Sequence, residues 1–132
     1  MILPVTLTFA AVAALMNVWV GARVGQVRIA EKVLHGDGGS ARVLARMRAH
    51  ANFVEYTPFI LILIGAIELA GGWPLALWAA GALYFIARIA HVFGMEALEK
   101  PGKGRGFGIA VTMLTLLGLA GWAAYLAATA NA

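Results

Sequence analysis

The basic residues of this chain are confined to two windows that lie between long apolar stretches. All ten Lys and Arg residues fall within residues 23–48 and 88–105, whereas residues 1–22 and 106–132 carry no charged side chain. Charged residues make up 12% of the chain and hydrophobic residues 62%, against an average charged share of roughly 25% in soluble proteins. So few charges cannot cover a water-soluble particle of this size. The pattern predicts an integral membrane protein and excludes an ordinary soluble domain.

Four segments are long enough to cross a bilayer as helices, because a membrane-spanning helix needs about 20 mostly apolar residues. These predicted spans cover residues 2–28, 41–70, 74–98 and 105–129. Ser40, after a glycine-rich loop, is the predicted N-cap of the second span. A cleaved signal peptide is the alternative interpretation of the first span, but no basic residue precedes its apolar core. We therefore predict an all-α membrane protein, a four-helix transmembrane bundle that forms a single domain over residues 1–132.

The basic residues also predict the orientation of the bundle. They lie around the first and third connections, whereas the second connection, Gly71-Gly72-Trp73-Pro74, contains none. Cytoplasmic loops of membrane proteins carry the excess of Lys and Arg. We expect the basic loops to be cytoplasmic and both termini to lie on the opposite side. Because this topology explains where the basic residues lie, the pI of about 10.0 does not indicate a nucleic-acid partner.

Ionisable residues inside the second and third spans are spaced so that they share helix faces. Arg48, Asn52 and Glu55 follow the spacing i, i+4, i+7, and Arg88 and His91 follow the spacing i, i+3 near the same end of the bundle. A charge within the membrane costs roughly 2.5 to 3.5 kcal/mol on insertion scales, so such residues face a bundle interior or a water-filled cavity. The two polar stripes are therefore expected to lie at similar depth.

Two interpretations of these stripes remain open. In one, Glu55 forms an ion pair with Arg88 or another arginine and only stabilises the bundle. In the other, the surplus arginines bind an anionic small molecule with more carboxylates than amines, or anionic lipid headgroups, since a guanidinium group binds carboxylate or phosphate at two points. No two histidines have the i, i+4 spacing of a helical zinc site, so no metal is predicted.

Two further features of the sequence have structural interpretations and not functional ones. Glu68 lies near the opposite membrane interface, where its side chain either points outward or makes a contact within the bundle. The basic, glycine-rich segment 102–108 lacks the preceding strand of a nucleotide-binding fold, and we interpret it as a flexible turn. The chain has no cysteine, which excludes a disulfide or a cysteine nucleophile.

One run of residues resembles a known family. The run Arg48-Ala-His-Ala-Asn-Phe-Val-Glu-Tyr-Thr-Pro-Phe59, preceded by Gly25-Gln-Val-Arg28 and followed by Arg88-Ile-Ala-His91, closely resembles the MAPEG family, the membrane-associated proteins of eicosanoid and glutathione metabolism. The resemblance covers residues 25 to 105 in matching order. It implies a homotrimer in the bacterial inner membrane, similar to the microsomal glutathione transferases, with glutathione bound at each subunit interface near the cytoplasmic surface.

The resemblance also implies roles for individual residues. The residues that would contact glutathione are Arg28, Arg48, Asn52, Glu55, Tyr56 and His91, with His50 and Arg88 at the edge of the site. Arg105 matches the arginine that stabilises the thiolate in catalytic members, and Lys103 is the alternative. A nearby cation lowers the pKa of a thiol from about 8.5. The implied function is a glutathione-dependent transferase or peroxidase that acts on hydrophobic electrophiles reaching it through the lipid.

Three departures from the family pattern favour other functions. Ala51 replaces an arginine and Gly106 a serine of the prostaglandin-synthesising branch, which argues against a prostaglandin synthase. Met95 stands where several relatives carry a tyrosine. Met95 and Gly106 favour the rival hypothesis of a non-enzymatic lipid-binding or accessory membrane protein of the same fold. A third hypothesis treats the polar stripes as purely structural.

Overall fold

The computed structural model describes residues 2–99 and 102–130, and this part of the chain contains four α-helices and no strand. The helices are α1 (Pro4–Glu31), α2 (Ala41–Leu69), α3 (Pro74–Met95) and α4 (Lys103–Thr129). All four are long and apolar enough to cross a membrane. The predicted all-α, four-span membrane protein is therefore confirmed. Residues 1, 100, 101, 131 and 132, which the predicted domain also includes, lie outside the described residues.

Local signals in the sequence set the ends of the helices. Pro4 and Pro74 occupy the first turns of α1 and α3, where the missing N–H of proline costs nothing. The side chain of Ser40 accepts a hydrogen bond of 3.3 Å from the backbone N–H of Val43, which confirms the predicted N-cap of α2. Helix α1 ends where Lys32 adopts a left-handed conformation. The ends of α1 and α3 and the starts of α2 and α4 together form what we call the basic end of the bundle.

The largest differences from the predicted spans are at two helix ends. Helix α1 continues to Glu31 instead of ending at residue 28, and α3 ends at Met95 instead of residue 98. The added residues of α1 end in the charged Glu31 and lie beside the first connection. A span estimated from hydropathy follows the apolar stretch, whereas a helix continues for as long as its backbone hydrogen bonds can form.

Segment 102–108 is not a flexible turn, because residues from Lys103 onward form the first turns of α4. A Cβ atom at Gly108 would lie 2.8 Å from the carbonyl oxygen of Ala87, and one at Gly104 would collide with the carbonyl oxygen of Ala90. Small residues at i, i+4 allow membrane helices to approach closely. The glycines therefore serve close packing of α3 against α4, and the flexible-turn interpretation is wrong.

The apolar core occupies the half of the bundle away from the basic end. It is built from the first halves of α1 and α3 and the second halves of α2 and α4, and its largest buried members include Phe9, Ile60, Ile64, Leu77 and Phe85. The half near the basic end buries polar side chains in addition to small apolar ones. These polar residues are Arg88, His91, Thr112 and Thr115, together with Thr57 near the middle of α2. Buried polar side chains are thus concentrated toward the basic end.

Candidate functional site

A cavity of about 200 Å³ lies at the basic end between α2, α3 and α4. Its wall is formed by Arg48, Asn52, His91, Met95, Arg105 and Ile109. Both polar stripes therefore reach the same cavity, and the arginine at the start of α4 joins them. Among the described residues, this wall holds two arginines and no carboxylate. The cavity consequently offers positive charge and hydrogen-bonding groups to a small ligand.

Helix geometry and glycine packing explain how these side chains meet. Arg48 and Asn52 lie one turn apart on α2 and so point in the same direction. On α3, Gly94 allows the first turn of α4 to pack directly on its backbone, since a Cβ atom there would collide with the backbone nitrogen of Arg105. This contact places Arg105 beside His91. Lys103, at the first position of α4, is not part of the cavity wall.

His91 is bound to the neighbouring helix through one nitrogen only. Its ring is 3% exposed, and Nδ1 lies 3.2 Å from the backbone carbonyl oxygen of Arg105. Within the described residues, the other ring nitrogen, Nε2, is buried and has no hydrogen-bond partner. The side-chain oxygen of Asn52 is buried and unpartnered in the same way. Two polar atoms of the cavity wall thus have unused hydrogen-bonding capacity.

Arg88 is a fully buried cation one turn before His91 on α3. Its Nη1 lies 3.5 Å from the hydroxyl oxygen of Thr112, at the limit of a hydrogen bond. That hydroxyl donates a shorter bond of 2.7 Å to the carbonyl oxygen of Gly108. The Nε and Nη2 atoms of Arg88 have no partner among the described residues. A buried donor without a partner costs about 1 to 3 kcal/mol, so this region favours an anionic or strongly accepting ligand.

Glu55 is not paired with Arg88. It is exposed on the single subunit in the middle of α2, and the described residues contain no salt bridge to it. Tyr56, which follows it, is half-buried and also lies outside the cavity wall. The interpretation in which an ion pair between Glu55 and Arg88 stabilises the bundle therefore does not hold within one subunit.

Two other residues that the resemblance assigns to glutathione, Arg28 of α1 and His50 of α2, make contacts between these two helices. The guanidinium group of Arg28 is 3.3 Å from the sulfur of Met47 and 3.4 Å from the carbonyl oxygen of Leu34. The Nε2 atom of His50 is 2.9 Å from the side-chain oxygen of Asn17. Neither side chain lines the cavity within one subunit. The structure thus brings together one part of the predicted set and leaves Arg28, His50, Glu55 and Tyr56 on other faces.

The sequence reasoning missed one polar anchor that holds the helices in place. Glu96, just after α3, forms ion pairs with Arg23 of α1 and Arg46 of α2, the second at 3.1 Å. Arg46 also donates a bond of 2.8 Å to the carbonyl oxygen of Arg23. These contacts join residues far apart in the chain, so no local pattern indicates them.

A signal was available for Thr112, because a polar side chain facing inward in an apolar span needs a partner.

A second polar anchor is Glu68, at the opposite end of the bundle, for which the sequence left two orientations open. Its carboxylate accepts hydrogen bonds from the backbone N–H groups of Val5 and Thr6, at 2.9 and 2.8 Å, and from the hydroxyl of Thr6 at 2.6 Å. Leu3, at the N-cap position of α1, makes no side-chain cap. Glu68 therefore supplies the cap from another helix, which confirms the contact within the bundle and not the outward orientation.

Comparison with known proteins agrees with the fold and the motifs. The model of the MAPEG family matches residues 6–125, and the chain therefore belongs to the MAPEG family. It is similar to the inner membrane protein YecN of Escherichia coli (strain K12), with 26% identity over 113 residues that cover 86% of this chain and 85% of YecN. The YecN protein of Escherichia coli O6:H1 matches to the same extent. The resemblance drawn from the run between Arg48 and Phe59 is thus confirmed.

Proposed function

We propose that this chain is a glutathione-dependent transferase or peroxidase that acts on hydrophobic electrophiles. The observation that supports the proposal is the cavity at the basic end, where Arg48 and Arg105 meet unpartnered polar atoms and no carboxylate of the described wall opposes them. Glutathione carries two carboxylates, one ammonium group and a thiol, so its charge is complementary to this wall. MAPEG membership, through residues 6–125, supports the same ligand class.

Each residue of the wall has a role that follows from its chemistry. Arg48 suits a carboxylate, because its planar fork donates two parallel hydrogen bonds. The free oxygen of Asn52 suits an N–H group of the peptide. Glutathione supplies the nucleophilic sulfur of the reaction. The exposed guanidinium of Arg105 favours the charged form of that sulfur and so increases its reactivity at neutral pH.

We propose that the active form is a homotrimer in a bacterial inner membrane, with the basic loops cytoplasmic. Glu55 is exposed in the middle of a membrane span, where a charge costs roughly 2.5 to 3.5 kcal/mol unless protein or water covers it. A neighbouring subunit would provide that cover. It would also allow Arg28, His50 and Tyr56, which lie outside the cavity of their own subunit, to complete the site of another. The similarity to the inner membrane protein YecN and the placement of the basic residues support this location.

One observation favours a second candidate, a non-enzymatic lipid-binding or accessory protein. Met95 forms part of the cavity wall, and its thioether replaces a hydroxyl that several relatives use to hold glutathione. The phosphate of an anionic lipid headgroup would interact with the same arginines, because guanidinium binds phosphate as well as carboxylate. The two candidates thus share the cavity and differ in its ligand.

Calorimetry on the purified protein in detergent distinguishes these candidates. We expect saturable glutathione binding, weakened about 10-fold to 100-fold in Arg48→Ala, since hydrogen bonds to charged groups contribute about 1.5 to 3 kcal/mol. The matched control is Arg42→Ala, because Arg42 is exposed, pairs with Glu31 and lies outside the cavity. Equal binding by wild type and Arg48→Ala would contradict the assigned site. No binding at millimolar glutathione, together with binding of vesicles rich in phosphatidylglycerol, would favour the lipid-binding candidate.

A further inference from the structure

The hydrogen bond between His91 and α4 determines which nitrogen of the ring carries the proton. Nδ1 lies 3.2 Å from the backbone carbonyl oxygen of Arg105, and a carbonyl oxygen only accepts hydrogen bonds. Nδ1 must therefore be the donor. A neutral imidazole carries one N–H, so Nε2 then presents a free lone pair. That atom is buried and has no partner among the described residues.

The cavity wall contains no other group able to take a proton at neutral pH. The amide of Asn52 and the thioether of Met95 are not basic, and Arg48 and Arg105 are permanently protonated. Ile109 is apolar. His91 is thus the single proton acceptor of the described wall.

The charged side chains of the described cavity wall and of the preceding turn of α3 are all cationic. Arg48 faces the cavity from α2, Arg105 from α4, and Arg88 lies one turn away on α3 itself. No carboxylate is among the described residues of the wall. These cations favour the neutral ring, which leaves its lone pair free to accept a proton, and they stabilise an anion formed beside it. They also repel the protonated ring, which promotes onward transfer of that proton to water.

We propose that His91 is the general base that deprotonates the glutathione thiol, in a tautomer set by the backbone carbonyl of Arg105. The inference rests on the proposed function and adds a catalytic residue to it. In this step the S–H bond breaks, its electron pair stays on sulfur, and the proton binds the lone pair of Nε2. The ring keeps its Nδ1–H bond to Arg105 throughout. The proton then passes to water at the basic end, and the neutral ring is restored.

The tautomer is tested on the protein without any ligand. Nuclear magnetic resonance of the full-length protein in detergent, with isotope-labelled histidine, shows which ring nitrogen carries the proton. The signal of His91 is assigned by its loss in His91→Gln. We expect the proton on Nδ1 at neutral pH. A proton on Nε2 would overturn the proposal, whether or not the protein binds glutathione.

The proton transfer is tested by following thiolate formation through its ultraviolet absorbance after glutathione is mixed with the protein. His91→Gln places an amide where it accepts a hydrogen bond but takes no proton. His91→Asn keeps an amide donor near the Arg105 carbonyl and guards against a folding defect in the first variant. We expect the rate of thiolate formation to fall about 100-fold or more in both variants, because a general base usually accelerates a reaction by about 10² to 10⁴. Added imidazole should restore part of the rate.

Two controls separate this inference from a structural role. S-methylglutathione, which has no thiol proton, should still bind both His91 variants saturably, and His35→Gln, an exposed loop substitution, should behave as wild type. A wild-type rate in His91→Gln, or loss of S-methylglutathione binding in both variants, would overturn the role of His91 and leave the proposed function standing. Absence of glutathione binding by the wild type would instead refute the proposed function.

Discussion

The two ends of the bundle differ in whether their polar groups have hydrogen-bond partners. At the end where α1 begins, the carboxylate of Glu68 accepts three hydrogen bonds from Val5 and Thr6. At the basic end, atoms of Asn52 and His91, both in the cavity wall, have no partner within the described residues. The first arrangement is complete within one chain and holds two helices together. The second has unused hydrogen-bonding capacity, which is typical of a binding site.

The charged groups of the bundle also differ in whether an opposite charge lies nearby. The positive end of the α1 dipole attracts the Glu68 carboxylate, so that charge has its compensation nearby. Glu96 is likewise compensated by Arg23 and Arg46. Within the part of the chain that the structure describes, the guanidinium of Arg88 has no such partner, and it lowers the stability of the subunit unless an anion reaches it. Substitutions at the two ends should therefore differ in whether they change stability or ligand binding.

The largest effect should come from Arg105→Ala in the cavity. We expect turnover of a hydrophobic aryl halide with glutathione to fall about 100-fold or more, as when one stabilising donor is removed from a charged transition state. Thermal stability should stay unchanged, because the side chain is exposed. Lys103→Ala is the matched variant and should keep its activity. The reverse result, with Lys103→Ala inactive, would show that Lys103 is the cation near the sulfur.

A smaller effect on ligand binding is expected for Arg88→Met, together with unchanged or higher stability. Glutathione affinity should fall about tenfold, because the anionic ligand loses the attraction of a cation that lies one turn from the cavity wall. The melting temperature of the ligand-free protein should be unchanged or higher, because replacing an uncompensated buried charge with an apolar side chain is often neutral or stabilising. Calorimetry and thermal denaturation measure the two quantities. A lower melting temperature would show that Arg88 has a structural partner.

The smallest effect is expected for Glu68→Ala at the opposite end. Loss of the cap should lower stability by about 1 kcal/mol, the usual cost of removing an N-cap group. Glutathione affinity should not change, because Glu68 lies at the other end of the bundle from the cavity. Thermal denaturation together with a glutathione titration checks both statements. Weakened glutathione binding in this variant would show that the two ends of the bundle are coupled, and it would contradict their separate roles in stability and binding.

The features that were predictable from the sequence are those that depend on near neighbours in the chain. The absence of charge in residues 1–22 and 106–132 predicted the outer spans, and Ser40 predicted the start of α2. The i, i+4 spacing of Arg48 and Asn52 predicted a shared face, and both side chains line the cavity. Helical periodicity determines these relations, because it repeats every 3.6 residues whatever the helix packs against.

The sequence by itself therefore determined the membrane spans, their caps and the polar stripe on each helix. Only the tertiary structure decided that His91 bonds to the Arg105 backbone and that Glu68 caps α1. It also separated Glu55 from Arg88. The reason is that a polar stripe specifies only a direction around the axis of its own helix. Contacts between helices also depend on how each helix is rotated about its axis and on its depth in the bundle. Here those are set by close backbone packing, as at Gly94 against the start of α4.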